Sequence, residues 1–312
     1  MHTEPIVVGQ GTAYPLKGLL TLPAHTDGPV PAVVFVHGSG SSNMDEKVGK
    51  LTPFRDLAEG LARHGIASIR YDKRSFAHGF RMVMNKKVPI TVKEETMEDA
   101  ILATALLRQD SRIDPDRIYL VGHSMGGMLA PRIDAEGGNY RGLILMAGST
   151  RKLEEIMVEQ NNEVLADQKG LVRKLLEGQI GKLNRLFDGL YDLTDEEAKQ
   201  KKVGGGTTLY YFKEMGSHPP ADYLRALEKP ILVMQGGKDF QVRADKDFAA
   251  YRELLNGKPN AAFRLYPNLN HAFVPAIYTD IAKAKQEYNV ERHIGEDVIA
   301  DLAGWILETS GR

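Results

Sequence analysis

The chain has 312 residues, with 40 basic and 41 acidic side chains, nine histidines and no cysteine. A net charge of −1 leaves no cationic surplus to follow a phosphate backbone or coat an anionic membrane, which argues against nucleic acid or membrane as a partner. The missing thiols exclude disulfides, thiolate nucleophiles and cysteine-bound zinc.

Elements then follow in chain order. Pro5–Val8 and Leu16–Leu22 read as a leading antiparallel pair. Pro31–His37 is a continuous apolar run, the pattern of a strand buried on both faces. Pro53–His64 has helical spacing at Phe54, Leu57, Leu61 and Ala62, and Ile66–Tyr71 is the next strand. Thr91–Gln109 reads as one long helix with an acidic first half. Arg117–Gly122 is a buried strand, Met125–Ala135 a helix and Gly142–Ala147 the sixth strand.

The alternation lapses over residues 151–228, too long for a structureless connection. Val172, Leu176, Leu183, Phe187 and Leu190 recur at helical spacing there. Gly204, Gly205 and Gly206 interrupt the run, and the aromatic cluster Tyr210, Tyr211, Phe212 follows. The segment reads as a helical cap inserted after the sixth strand, with the sheet core formed by 1–150 and 229–312. Alternation resumes with a strand at Pro230–Gln235, a helix at Arg243–Leu255, a strand at Ala261–Tyr266 and a last helix at Gly295–Glu308. The expected fold is α/β, a mostly parallel doubly wound sheet covered by helices. The N-terminus lacks the basic region and long apolar run of a signal peptide, and no stretch approaches the 18 or so apolar residues of a membrane helix, so the expected compartment is cytoplasmic.

The chemistry centres on Gly122-His123-Ser124-Met125-Gly126, placed where a buried strand ends and a helix begins. A serine there occupies a sharp turn that exposes its hydroxyl and aims the helix N-terminus at it. The N–H of Met125 is then free to stabilise an oxyanion. A hydroxyl needs a base to take its proton. His271 follows the last expected strand and fills that role, with Asp239, just after Pro230–Gln235, fixing its tautomer. Asp245 competes for the acid's place but falls on the following helix. His37-Gly38-Ser39-Gly40 follows the third strand and offers a second oxyanion donor, Ser39 first and Gly40 second. Asp72-Lys73-Arg74 reads as an ion-pair network shaping that loop, and Asp45 and Glu46 as a solvated acidic loop. Tyr210, Tyr211 and Phe212, with Met215, either line a substrate pocket or form the cap's own core. No dinucleotide fingerprint, phosphate loop or zinc-binding H-E-x-x-H helix occurs.

Five segments together resemble the bacterial carboxylesterases of the α/β-hydrolase superfamily, near the dienelactone-hydrolase-like and prolyl-oligopeptidase-like enzymes. They are HGSG at 37–40, FRDLAEGLARHGIASIRYDKR at 54–74, GHSMGG at 122–127, GGKDFQV at 236–242 and LNHAF at 269–273. The resemblance implies a triad of Ser124, Asp239 and His271 and an oxyanion hole at Ser39 and Met125. It also implies hydrolysis of small-molecule carboxylic esters through an acyl-enzyme, with no metal or organic cofactor. A peptidase, thioesterase or acyltransferase would use the same residues, with Glu154 and Glu155 available to anchor a peptidase substrate's free amine. A non-catalytic binding protein on the same fold is the remaining alternative.

Overall fold

A computed structural model describes residues 1–85, 89–166, 168–204 and 206–311. Gly205 and the side chain of Val172, both used above, lie outside the described residues. Eight strands form the main sheet: β1 (His2–Val8), β2 (Leu16–Leu22), β3 (Val30–Val36), β4 (Ala67–Tyr71), β5 (Ile113–His123), β6 (Gly142–Met146), β9 (Ile231–Gly236) and β10 (Ala261–Tyr266). Their order is β1-β2-β4-β3-β5-β6-β9-β10. β1 pairs antiparallel with β2, and β2 antiparallel with β4; every later pairing is parallel. β5 starts earlier than its apolar run because Ile113 pairs with Val30 before a register shift.

The central strands are buried on both faces, which is why their sequences read as unbroken apolar runs. Val34 and Val36 of β3 join Leu120 of β5 in the core on one face. Val33 and Phe35 join Tyr119 and Val121 in the core on the other. The helices α1 (Pro53–Arg63) and α12 (Glu296–Ser310) cover the second face, with Phe54, Leu57 and Leu61 meeting Val298 and Leu302 there. On the first face lie α3 (Glu98–Gln109) and α4 (Met125–Ile133).

Three expected helices are shorter because a π-turn replaces part of each. Lys93–Met97 precedes α3, Asp134–Gly138 follows α4, and Ala244–Phe248 precedes α10 (Ala249–Leu254). An unexpected helix, α2 (Arg74–Met84), fills the gap after β4. Only Arg74 and Met82 are buried in it, while Phe76, Phe80, Val83 and Met84 are exposed. Its apolar residues therefore mark no inward stripe.

Between β6 and β9 the chain forms α5 (Leu153–Ala166), α6 (Gly170–Leu186), α7 (Asp195–Gln200), α8 (Leu209–Gly216) and α9 (Pro220–Ala226). A two-stranded ribbon, β7 (Lys202–Gly204) with β8 (Thr207–Thr208), joins α7 to α8. Thr194 and Glu197 cap α7 reciprocally, satisfying two of its free N-terminal donors. Leu190, Ala198, Leu209 and Leu224 are buried and continuous with the first-face core. The short α11 (Ala284–Tyr288) lies within the β10–α12 connection. No helix among the described residues is long and apolar enough to cross a membrane.

Candidate active site

Ser124 follows β5 as the N-cap of α4, with φ +54° and ψ −120°, a backbone state that non-glycine residues rarely adopt. The surrounding glycines make the turn possible. A Cβ on Gly122 would sit 2.2 Å from the Gly126 carbonyl oxygen, and one on Gly126 would sit 2.1 Å from that of Val36. The Ser124 N–H donates to the Met146 carbonyl at 2.8 Å, anchoring the turn to β6. Met125 is the first residue of α4, so its N–H has no partner within the helix.

His271 lies in the loop after β10 and Asp239 in the loop after β9. His271 Nδ1 is 2.7 Å from Asp239 Oδ2, and both residues are buried. The same carboxylate oxygen accepts from Gln235 Nε2 at 2.9 Å, while Oδ1 accepts the N–H groups of Gln241 and Val242 at 2.8 and 2.9 Å. Four donors therefore fix the acid. The competitor Asp245 is exposed and pairs with Arg243. The histidine loop has its own scaffold. Asn270 Oδ1 accepts the N–H groups of Ala272 and Val274, and Asn270 Nδ2 donates to the buried Glu287 of α11 at 2.7 Å. Ser124 and His271 border one cavity of about 190 Å³, together with Gly38, Ser39, Gln241 and Tyr288.

The loop after β3 passes against the serine: a Cβ on Gly38 would be 3.0 Å from that of Ser124. Both peptides around Gly38 are clamped. Its N–H donates to Glu46 Oε1 at 2.7 Å, and its carbonyl accepts from Lys73 Nζ at 2.9 Å. In a trans peptide the carbonyl and the next N–H point opposite ways, so holding the Gly38 carbonyl on Lys73 turns the Ser39 N–H to the other side. Lys73 thus has the loop-shaping role read for Asp72-Lys73-Arg74. Asp72 adds to it by accepting the Met44 N–H at 2.9 Å, and Arg74 pairs with Asp99 at 2.6 Å. Burial lowers the Lys73 pKa, opposed by Glu95, whose carboxylate lies 3.4 Å away.

Glu46 corrects the reading of a solvated acidic loop. It is 8% exposed, because Gly38 and His123 supply partners that repay the loss of water. Asp45 pairs with the buried Arg70 at 2.9 Å. Motif reasoning treated His123 only as the variable residue of the serine turn, and gave no signal for Gln235, Asn270 or Glu287, whose partners are distant in sequence.

A larger cleft of about 760 Å³ opens beside Ser39 and Gly40. Phe80, Met82, Ile90, Leu153, Met157 and Phe212 supply its apolar walls, with Tyr211 and Glu95 also bordering it. The Tyr211 hydroxyl donates to Glu95 Oε2 at 2.6 Å; burial, with Glu95 adding, holds that phenol well above its ordinary pKa. The aromatic cluster is therefore divided. Tyr211 and Phe212 face the cleft, whereas Tyr210 lies under Lys199, whose Nζ is 4.8 Å from the ring centroid. Met215 is buried in the core. Glu154 is buried and accepts from the Tyr191 hydroxyl, and Glu155 is exposed; neither borders the cleft. Among the described residues no group of three or more histidine and carboxylate side chains is arranged to hold a metal ion.

With this geometry in place, comparison with known proteins gives concordant results. Residues 33–279 match the model of the alpha/beta hydrolase family. Over 297 residues the chain is 32% identical to esterase EstD of Thermotoga maritima, covering 95% of this chain and 66% of that protein, so it spans just under two-thirds of the relative's length. Among solved structures it is similar to Est1E from Butyrivibrio proteoclasticus, with a TM-score of 0.57 at 14% identity and 99% of each chain covered. It is also similar to 2,6-dihydroxy-pseudo-oxynicotine hydrolase, with a TM-score of 0.56 at 16% identity, covering 100% of this chain and 69% of that one.

Proposed function

The chain belongs to the alpha/beta hydrolase family, and from that membership we propose that it is a serine hydrolase cleaving carboxylic esters through an acyl-enzyme on Ser124. The observation that carries this reading is the convergence at one cavity. Ser124, in its strained turn, borders the same space as His271, whose Nδ1 is held 2.7 Å from Asp239. The name of the relative EstD, an esterase, supports the ester class.

In this mechanism the ester carbonyl sits over Ser124 with its oxygen toward the N–H groups of Ser39 and Met125. His271 Nε2 takes the serine proton as the oxygen attacks, and the resulting imidazolium is stabilised by Asp239. The tetrahedral oxyanion collapses, His271 protonates the departing alcohol, and the acyl group remains on Ser124. Water then attacks by the same route and releases the acid. Each oxyanion donor contributes about 3–4 kcal/mol in the transition state.

Residues 151–228 act as the cap in this reading, because α5 and α8 supply Leu153, Met157, Tyr211 and Phe212 to the cleft beside the oxyanion loop. An apolar, aromatic-walled cleft of about 760 Å³ suits short or aromatic acyl esters. The amine-anchor role of a peptidase is disfavoured, since Glu154 is committed to Tyr191 and Glu155 does not border the cleft.

The direct test is a fluorophosphonate probe with the adduct located by mass spectrometry. One adduct per chain on Ser124, absent in Ser124→Ala together with ester turnover, is the expected result. Undiminished turnover by Ser124→Ala overturns the assignment.

A further inference from the structure

We propose that Glu46 and His123 form a positioning pair that ties the oxyanion loop to the loop carrying His271, so that the two halves of the site keep one register. This rests on the reading of Ser124 and His271 as the reacting pair.

The pair joins three separate stretches of chain. Glu46 Oε1 accepts the Gly38 N–H at 2.7 Å. Glu46 Oε2 lies 2.9 Å from His123 Nδ1, off the axis of a good hydrogen bond. On the other side of the ring, His123 Nε2 is 2.9 Å from the His271 carbonyl, an acceptor only, so that nitrogen carries a proton. The His123 and His271 rings lie 4.7 Å apart. One continuous path therefore runs from the Gly38 peptide through a carboxylate and an imidazole to the backbone of His271. Its imidazole belongs to the residue immediately before Ser124.

Two further observations fit a tie rather than simple packing. Glu46 holds φ +50°, a left-handed state disfavoured for a non-glycine residue, as if its surroundings fix it there. Each partner also favours the other's charged form. Burial alone would lower the His123 pKa, but Glu46 and the His271 carbonyl outweigh it and the net shift is upward. Burial alone would raise that of Glu46, yet His123 and the Gly38 N–H bring it below the ordinary range. His37, a further buried imidazole near the pair, is driven to a pKa of about 4 by burial.

The experiment compares wild type with Glu46→Gln, Glu46→Ala and His123→Asn, each confirmed folded by its melting curve. Glu46→Gln keeps an acceptor for Gly38 but removes the charge; Glu46→Ala removes both. The expected fall in kcat is about tenfold for the first and roughly a hundredfold for the second, with KM within about threefold of wild type, because misaligned groups cost transition-state and not ground-state binding. Glu46→Gln/His123→Asn should cost no more than the worse single change, since one tie is broken once. Hydrogen exchange reads the tie without chemistry: amides of 37–41 and 270–274 should both exchange faster in Glu46→Ala. Unchanged exchange in both loops together with kcat within twofold of wild type overturns the proposal. Faster exchange in both loops, in a protein with no ester turnover and no fluorophosphonate adduct, would leave the tie standing and remove the esterase reading instead.

Discussion

Asp239 is surrounded by donors only, and this sets what one atom's change would do. Its Oδ1 takes two backbone N–H groups, and its Oδ2 faces Gln235 Nε2 and His271 Nδ1. In Asp239→Asn the amide oxygen keeps the two backbone donors, which leaves the NH₂ against Gln235 and His271. His271 then has to present Nδ1 as an acceptor and carry its proton on Nε2, the wrong tautomer to deprotonate Ser124. The expected loss in kcat is about 10⁴-fold, with KM little changed, measured by steady-state ester hydrolysis; a loss below tenfold would show that Asp239 does not set the tautomer. At this scale the sequence was informative wherever chemistry follows a strand end. Ser124, Asp239 and His271 each follow a recognisable apolar strand, so local pattern located them. Glu46 and Glu287 carry no such mark. Each earns its burial from partners on other elements, and a charged residue in a loop looks the same in sequence whether solvated or enclosed.

The elements show the same boundary between local and non-local information. β3, β5, β6 and β9 are legible because burial on both faces leaves only apolar residues in them. The π-turns at 93–97, 134–138 and 244–248 are not, since an extra residue in a turn scarcely alters the spacing of apolar positions. α2 is hidden for a different reason: most of its apolar side chains are exposed, with Phe80 and Val83 at the cleft, reversing the usual rule. α8 shows how one short helix divides its aromatics between tasks. Phe212 borders the cleft and meets Phe187 edge-on at 4.9 Å, while Tyr210 packs under Lys199. Phe212→Ala should therefore move the preferred acyl group toward longer or bulkier esters. Tyr210→Ala should leave the preference unchanged and lower only the melting temperature. An acyl-length series on both variants decides this, and equal shifts in preference would mean that the helix acts as one wall.

Across the whole molecule, buried titratable groups make opposed contributions to stability, and their windows can be separated. His37 is fully enclosed between Phe54 and Tyr71, and burial drives its pKa down to about 4. An unfolded histidine titrates near 6.5. Between these values the unfolded chain binds a proton that the folded chain refuses, so the His37 contribution to stability is lost as pH falls from about 6.5 toward 4, by about 3 kcal/mol in all. Asp99 works against it in part of that window. Burial, outweighing Arg74, pushes its pKa up to about 6, so the folded chain retains a proton there and loses stability as pH rises from about 4 to 6. His123 acts higher still: its raised pKa gives a contribution fully present below about 6.5 and lost as pH rises through the folded value. His37 and Asp99 thus oppose each other between about pH 4 and 6, and only a difference exposes either term. The stability of wild type minus that of His37→Asn, from urea unfolding at pH 4.5, 5.5 and 7, should fall by about 2–3 kcal/mol toward the acid end. The same difference for His123→Asn should stay flat below about 6.5 and decline above it. Parallel curves for wild type and His37→Asn would mean that His37 takes up its proton equally in the folded and unfolded chain, and that solvent reaches the ring beneath the oxyanion loop.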